Sequence, residues 1–245
     1  MRYINSKDFI SKMKPRFTPS QIGLIKDCKR CFWLEHNKHL KRPRGIYPSL
    51  PSGMDKILKE HFDVYMKKGE LPPEIKDMPD FKGAKLFDDE NLLNKWRNNR
   101  VGIKYETEDF LLKGAIDALL IRNKKLIILD YKTRGYPLKE DTHHHYIDQQ
   151  ALYNFLFRKN GYDTEDYSYL LFYHPDKVVD NVFLFHKDLV KIRTDVKKAE
   201  QLILKALKLI AGPMPEANPD CEYCRYRETK ISNTVKEKRT SLLDF

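Results

Sequence analysis

The chain has 245 residues, 41% of them apolar, with 14 Tyr and 13 Phe, which is enough for a real core in one large domain or two small ones. Its 46 basic and 35 acidic residues leave a net charge of +11, which favours a polyanionic partner, nucleic acid first, and says nothing about fold. No apolar run approaches the roughly 20 residues of a membrane span, and MRYINSKDF has no apolar signal core; the expectation is a cytoplasmic protein with no membrane partner.

The first helix is expected to start at Pro19-Ser20, capped by Ser20 or Thr18. Ile22, Leu24, Ile25, Phe32, Trp33 and Leu34 supply its apolar stripe, and Lys38 to Arg44 form a basic loop. Cys28 and Cys31 are spaced so that both sulfurs can face one metal. A second helix, Met54 to Lys67, buries Ile57, Leu58, Phe62 and Tyr65 or Met66. It carries Asp55, Glu60 and Asp63, with Asp55 in its first turn, and Pro72-Pro73 closes it. Residues 72 to 100 read as irregular apart from a short helix, Asp89 to Asn99, holding Trp96.

Leu111 to Ile121 and Leu126 to Tyr131 read as two strands joined by the polar turn Arg122-Asn123-Lys124-Lys125, where Asn suits a left-handed conformation. Their nearly continuous apolar runs place this hairpin in the middle of a sheet. Asp117, Asp130 and Lys132 interrupt it, and charges are rarely left in a buried strand unless paired or bound to a metal.

A helix is expected from Thr142 to Lys159, ended by Asn160-Gly161, with Gln149 and Tyr153 on one face. His143 to His145 read as its exposed start, with contact of one of them to a phosphate or a metal as the alternative. Strands over Tyr167–Tyr173 and Val178–His186 follow, with His174-Pro175-Asp176-Lys177 as the turn, then a helix from Lys187 to Ile210. Gly212 and three prolines keep the next segment extended up to Cys221 and Cys224, the second C-x-x-C. In a cytosolic chain, four such cysteines point to a metal or cluster rather than disulfides, and spacing alone indicates zinc.

Adjacent antiparallel strands hold paired side chains roughly 5 Å apart, so Asp117 and Asp130 can share one divalent ion. Lys132, two residues beyond Asp130, leaves the same face. This is a hard oxygen site for Mg²⁺ with an ammonium beside it, able to activate a water and stabilise charge on a phosphoryl group. A glycosidase-like carboxylate pair is disfavoured by Lys132 and the basic charge.

Gly114-Ala-Ile-Asp117, then Ile128-Leu-Asp130-Tyr-Lys132-Thr133, then Gln149-x-x-x-Tyr153 resemble, in this order, the motifs of the PD-(D/E)XK nuclease superfamily. The most similar branch is the RecB-type nuclease domain, which includes the CRISPR-associated spacer-trimming exonucleases with a cysteine-bound cluster. The resemblance implies an α/β restriction-endonuclease-like core, a central mixed sheet flanked by helices, with the terminal segments joined by a four-Cys site. One nuclease domain over 1–230 is expected, its core at about 50–211 and its Cys-bearing ends at 15–45 and 212–230.

By the same resemblance Asp117 and Asp130 bind Mg²⁺ or Mn²⁺, and the backbone carbonyl of Tyr131 joins them. Lys132 positions the water or the transition state, and Gln149 and Tyr153 contact the site and the DNA. Where the family carries a His on the early helix, this chain offers Asp55 as a metal ligand, with His61 too late. Cys28, Cys31, Cys221 and Cys224 are implied to hold a 4Fe-4S cluster, with Zn²⁺ as the alternative; the family's third late Cys is replaced near Lys230.

The tail, 231–245, is expected to be flexible. Its end resembles the sliding-clamp-binding peptides of replication proteins, with Leu242 and Phe245 as partner-binding residues and Arg239 where Gln is usual. The function implied is a metal-dependent DNA nuclease acting on ends or single strands in repair, recombination, replication or spacer processing. The alternative is a non-catalytic nucleic-acid-binding protein with a structural metal site.

Overall fold

The structure, a computed structural model, describes residues 14–43, 45 and 48–228. They form two compact units: 14–19 with 48–200, and 20–45 with 201–228. The proposed partner-binding residues Leu242 and Phe245 lie outside the described residues. Among the described residues no helix is long and apolar enough to cross a membrane.

The first unit is a mixed α/β fold with two mixed sheets flanked by helices. The larger sheet has the order β2-β5-β6-β7-β8, from β2 (Lys85–Leu86), β5 (Ala118–Arg122), β6 (Lys125–Thr133), β7 (Tyr167–Val179) and β8 (Val182–Arg193). Only the β6–β7 pair is parallel. A parallel pair needs a crossover, and the helix α5 (Ile147–Lys159) lies in that connection. The smaller sheet is β1 (Arg16–Phe17), β4 (Leu111–Gly114) and β3 (Ile103–Glu106), with β1 parallel to β4 and β3 antiparallel to it.

β6 is the middle strand, and Leu126 to Tyr131 are all buried on it, as its unbroken apolar run requires. α5 is buried almost throughout, from Gln150 to Phe157. The helix α3 (Ser49–Lys68) buries Leu58, Phe62 and Met66 and sets the Phe62 ring 4.7 Å from that of Tyr131 on β6. The helix α4 (Glu90–Arg97) is capped by Asp89, whose carboxylate accepts the Leu92 N–H, and it buries Leu93 and Trp96.

Several expected elements differ: the first helix breaks at Cys28 into Pro19–Asp27 and Lys29–Lys38, and Ile57, expected in the core, is exposed. Residues 111–121 are not one strand: the chain bends at 115–117, leaving β4 and β5 in different sheets. β7 and β8 run further, so 187–193 is strand rather than helix, and α6 begins at Val196 (Val196–Ala211). The turn of that hairpin is Asp180-Asn181, both at positive φ, not His174 to Lys177. Pro175, which drew the expected turn, sits at a register shift within the hairpin, where a missing N–H is tolerated.

The second unit holds α1 (Pro19–Asp27), α2 (Lys29–Lys38), most of α6 and a helical turn at 222–228. Ile22, Ile25, Phe32, Ile203 and Ala206 are buried. Trp33 Nε1 donates to Gly212 O at 2.9 Å and Asn37 to Ile210 O at 3.1 Å, tying α2 to the end of α6.

Candidate functional site

Asp117 is the last residue of the bend before β5. Ala118 pairs with Leu129, so the ladder sets Asp117 beside Asp130 on β6. The Tyr131 N–H donates to Asp117 Oδ2 at 2.9 Å, fixing the carboxylate, and Arg97 Nε donates to the Asp117 carbonyl at 2.6 Å, fixing the bend. The same guanidinium binds both oxygens of Asp63 on α3, at 2.7 and 2.8 Å. The bend between the sheets is thus bolted to α3 and α4.

Asp130 is only 3% exposed and is ion-paired with Lys132. Burial pushes its carboxyl up to about 6, with the Asp117 charge adding and the Lys132 ammonium opposing. Burial works against the charged Lys132 too, but Asp130 outweighs it and holds the lysine above its ordinary value. The Lys132 ammonium lies 4.8 Å over the Tyr146 ring, a cation–π contact that places it.

Gln149 and Tyr153 share a face of α5, with Gln149 Nε2 donating to the Tyr153 hydroxyl at 3.1 Å. Burial raises the Tyr153 phenol, and the Asp130 and Asp117 charges raise it further. A close approach makes room for this tyrosine: a Cβ on Gly114 would meet Tyr153 and Leu156 at 2.9 Å. The structure therefore brings Asp117, Asp130, Lys132, Gln149 and Tyr153 together in one unit.

Asp55 reaches this group through a residue that sequence reasoning passed over. Lys59, one helical turn on, sits 2.8 Å from Asp55 Oδ2 and 2.9 Å from Asp117 Oδ1. Burial opposes its charge, but Asp117 and Asp55 more than offset that and raise its pKa. Its only sequence signal was the i, i+4 spacing from Asp55. His61 on the same helix turns to Glu74, at 2.8 Å. The histidines before α5 form a 3₁₀ turn, Thr142–Tyr146, with the His143 and His144 rings 4.4 Å apart.

The second unit gathers Cys28, Cys31, Cys221 and Cys224, all buried and free. Cys28 is the N-cap of α2, its sulfur accepting the Cys31 N–H at 3.4 Å. Cys28 Sγ lies 3.5 Å from Cys224 Sγ, and Cys31 Sγ 3.7 Å from Cys221 Sγ; all four sulfurs fall within 4.8 Å of one another. A tetrahedral ion with bonds of about 2.3 Å sets its sulfurs about 3.8 Å apart. A four-iron cluster holds each thiolate on a different iron, much further apart. Leu24, Ala217 and Tyr223 pack around the sulfurs. Arg42, 4.7 Å over the Tyr223 ring, donates to Cys221 Sγ at 3.6 Å.

A family model for the PD-(D/E)XK nuclease superfamily matches residues 50–229. The chain belongs to that superfamily. A nuclease-type hydrolase function and a nucleic-acid substrate follow from this membership at the level of class. No curated protein sequence matches the chain. Among solved structures, the crystal structure of SSO0001 is similar at 16% identity and a TM-score of 0.47, over 90% of this chain and 94% of that one.

Proposed function

We propose that the chain is a Mg²⁺- or Mn²⁺-dependent deoxyribonuclease acting on DNA ends or single strands. The observation that carries the reading is the convergence of Asp117, half-buried in the bend before β5, with the buried Asp130 and its partner Lys132 on the middle strand. Asp117, Asp130 and the Tyr131 carbonyl are the donors for the divalent ion, and Asp55 is the further carboxylate, connected through Lys59. When bound, the ion neutralises phosphate charge and makes a bound water a stronger nucleophile.

The chain's own residues do the rest. The Tyr131 N–H and Arg97 hold Asp117 in place, so the carboxylates do not have to reorganise during reaction. Lys132 brings an ammonium to the same face, positioned to orient a water or to meet charge developing on the phosphoryl oxygens. Gln149 and the Tyr153 hydroxyl are a hydrogen-bonding pair beside the carboxylates, suited to position substrate.

The order of the motifs supports a RecB-type placement, and end-processing in repair, recombination, replication or spacer trimming is the corresponding role. For the thiol centre, the short sulfur separations support one tetrahedral ion, Zn²⁺, over the 4Fe-4S cluster that the family resemblance implies. A sliding clamp remains a proposed partner of Leu242 and Phe245.

Labelled single- and double-stranded DNA, incubated with Mg²⁺ or Mn²⁺, tests the catalytic reading. Cleavage by the unmodified chain is expected, with its loss in Asp117→Ala and Lys132→Ala. Undiminished cleavage in either variant would remove the assignment.

A further inference from the structure

β7 and β8 stay paired well beyond their neighbour. β6 accompanies β7 only to Thr133↔Tyr173, whereas β7 and β8 pair on to Val179↔Val182. Residues 174–187 therefore form a two-stranded arm. Three side chains meet at its base: His174 from β7, and His186 and Asp188 from β8. His174 stands opposite His186, and Asp188 follows on the same face. The ligating atoms of all three lie within 4.8 Å of one another.

The hydrogen bonding fixes which way the rings present themselves. His174 Nδ1 lies 3.1 Å from the Pro175 carbonyl oxygen, which can only accept, so Nδ1 carries a proton. Its Nε2 then faces Asp188 Oδ2 at 3.4 Å, while His186 Nε2 faces the other oxygen, Oδ1, at 3.2 Å. Charge-assisted N–H···O bonds are shorter, about 2.7–2.9 Å. The observed separations, each to a different carboxylate oxygen, are longer, and the three ligating groups lie near the spacing one ion needs: bonds of about 2.1 Å at tetrahedral angles set donors about 3.4 Å apart. A backbone carbonyl on the distal nitrogen is also the usual orienting partner of a ligating histidine.

We propose that His174, His186 and Asp188 bind a divalent transition ion of the zinc class and clamp the base of the arm. Two imidazoles and one carboxylate suit Zn²⁺, Co²⁺ or Ni²⁺; Mg²⁺ and Ca²⁺ favour all-oxygen shells. Three protein ligands leave a position for water. The clamp joins β7 to β8 beside the register shift at Pro175/Lys177, where no third strand among the described residues supports the pair.

The test uses the full chain, dialysed against Zn²⁺, with bound metal counted by elemental mass spectrometry. The unmodified protein is compared with His186→Ala, which alters an exposed side chain, and Asp188→Asn, which preserves shape. Each variant keeps every thiol and every carboxylate of the catalytic site. Each is expected to hold one equivalent of zinc less, and to lose the zinc-dependent slowing of tryptic cleavage at the exposed Lys177 and Lys187. Ring-nitrogen NMR should show Zn²⁺ shifting Nε2 of His174 and His186 while the His174 Nδ1–H persists. Equal zinc contents and equal cleavage in all three proteins would overturn the site and leave an imidazole–carboxylate ion pair only.

Discussion

At the carboxylate site every anion already has a partner from the chain. Lys59 holds Asp117 and Asp55, Lys132 holds Asp130, and the Tyr131 N–H takes the second oxygen of Asp117. At the thiol centre four buried sulfurs face one another, with the Cys31 N–H on Cys28 and Arg42 on Cys221. On the proposed reading the difference separates two uses of metal. The first site is assembled by ion pairs, backbone donors and packing, so the proposed ion would come and go with the reaction. The second has four sulfur donors and one cation, Arg42, so the proposed ion there would belong to the fold.

The largest effect that tests this contrast is at the thiols. Binding of structural zinc is worth about 10–16 kcal/mol in small zinc-finger peptides, and in such sites that energy is folding energy. Cys31→Ser should abolish metal retention at the thiols and lower the melting temperature sharply, by several kcal/mol at least in stability, and a strong chelator should do the same to the unmodified chain. Metal content and thermal melts, measured together, check both. A full-strength melt after metal loss would place the thiols among ordinary core residues.

Asp130→Asn should do the reverse. Removing the buried carboxylate of the proposed catalytic pair should cost at least about 10²-fold in DNA cleavage. Thermal stability should fall far less than in Cys31→Ser, because the loss of a carboxylate that burial already disfavours offsets part of the cost of leaving Lys132 without its partner. A collapse in stability comparable to that of Cys31→Ser would erase the distinction between the two sites.

A third, smaller effect concerns the packing around the carboxylate site. Gly114→Ala puts a methyl 2.9 Å from Tyr153 and Leu156. Overpacking of this kind costs about 1–3 kcal/mol. Tyr153 should be displaced and cleavage should fall with it, while retention of metal by the thiols stays at the level of the unmodified chain.

The β5–β6 hairpin was legible because its signals agree with one another. Two apolar runs flank a polar turn, and Asn123 and Lys124 do occupy the left-handed region there, at φ of 50° and 65°. The bend at 115–117 was hidden because an apolar run looks the same whether it stays in one sheet or passes between two. The β7–β8 hairpin was misread because His174 to Lys177 has stronger turn composition than Asp180-Asn181, although only the latter pair has positive φ. That error also concealed the convergence of His174, His186 and Asp188, which exists only if the strands continue through Pro175. Leu189 and Ile192 fit a helical period, but β8 claims them because its ladder reaches Arg193. Lys59 escaped notice because a lone lysine on a helix usually faces water; its role depends on Asp117, which is brought beside it only by the tertiary fold.

Lys59 also provides the finest test of the contrast. Its ammonium occupies Asp117 Oδ1 at 2.9 Å, so a divalent ion reaching that carboxylate must share the oxygen with a like charge or displace it. Lys59→Met should therefore lower the Mn²⁺ concentration giving half-maximal cleavage by about three- to tenfold, or roughly 0.7–1.4 kcal/mol of metal affinity, with the maximal rate within about twofold. The metal-free melt should fall slightly, because Asp117 and Asp55 lose their cation, and the rise in melting temperature on adding Mn²⁺ should grow. The variant would shift the carboxylate site part of the way towards the thiol centre, with donors retained and the internal counter-charge gone. A rise in the half-maximal Mn²⁺ concentration would mean the opposite arrangement, in which Lys59 holds Asp117 and Asp55 in place for the ion rather than standing where its charge is needed.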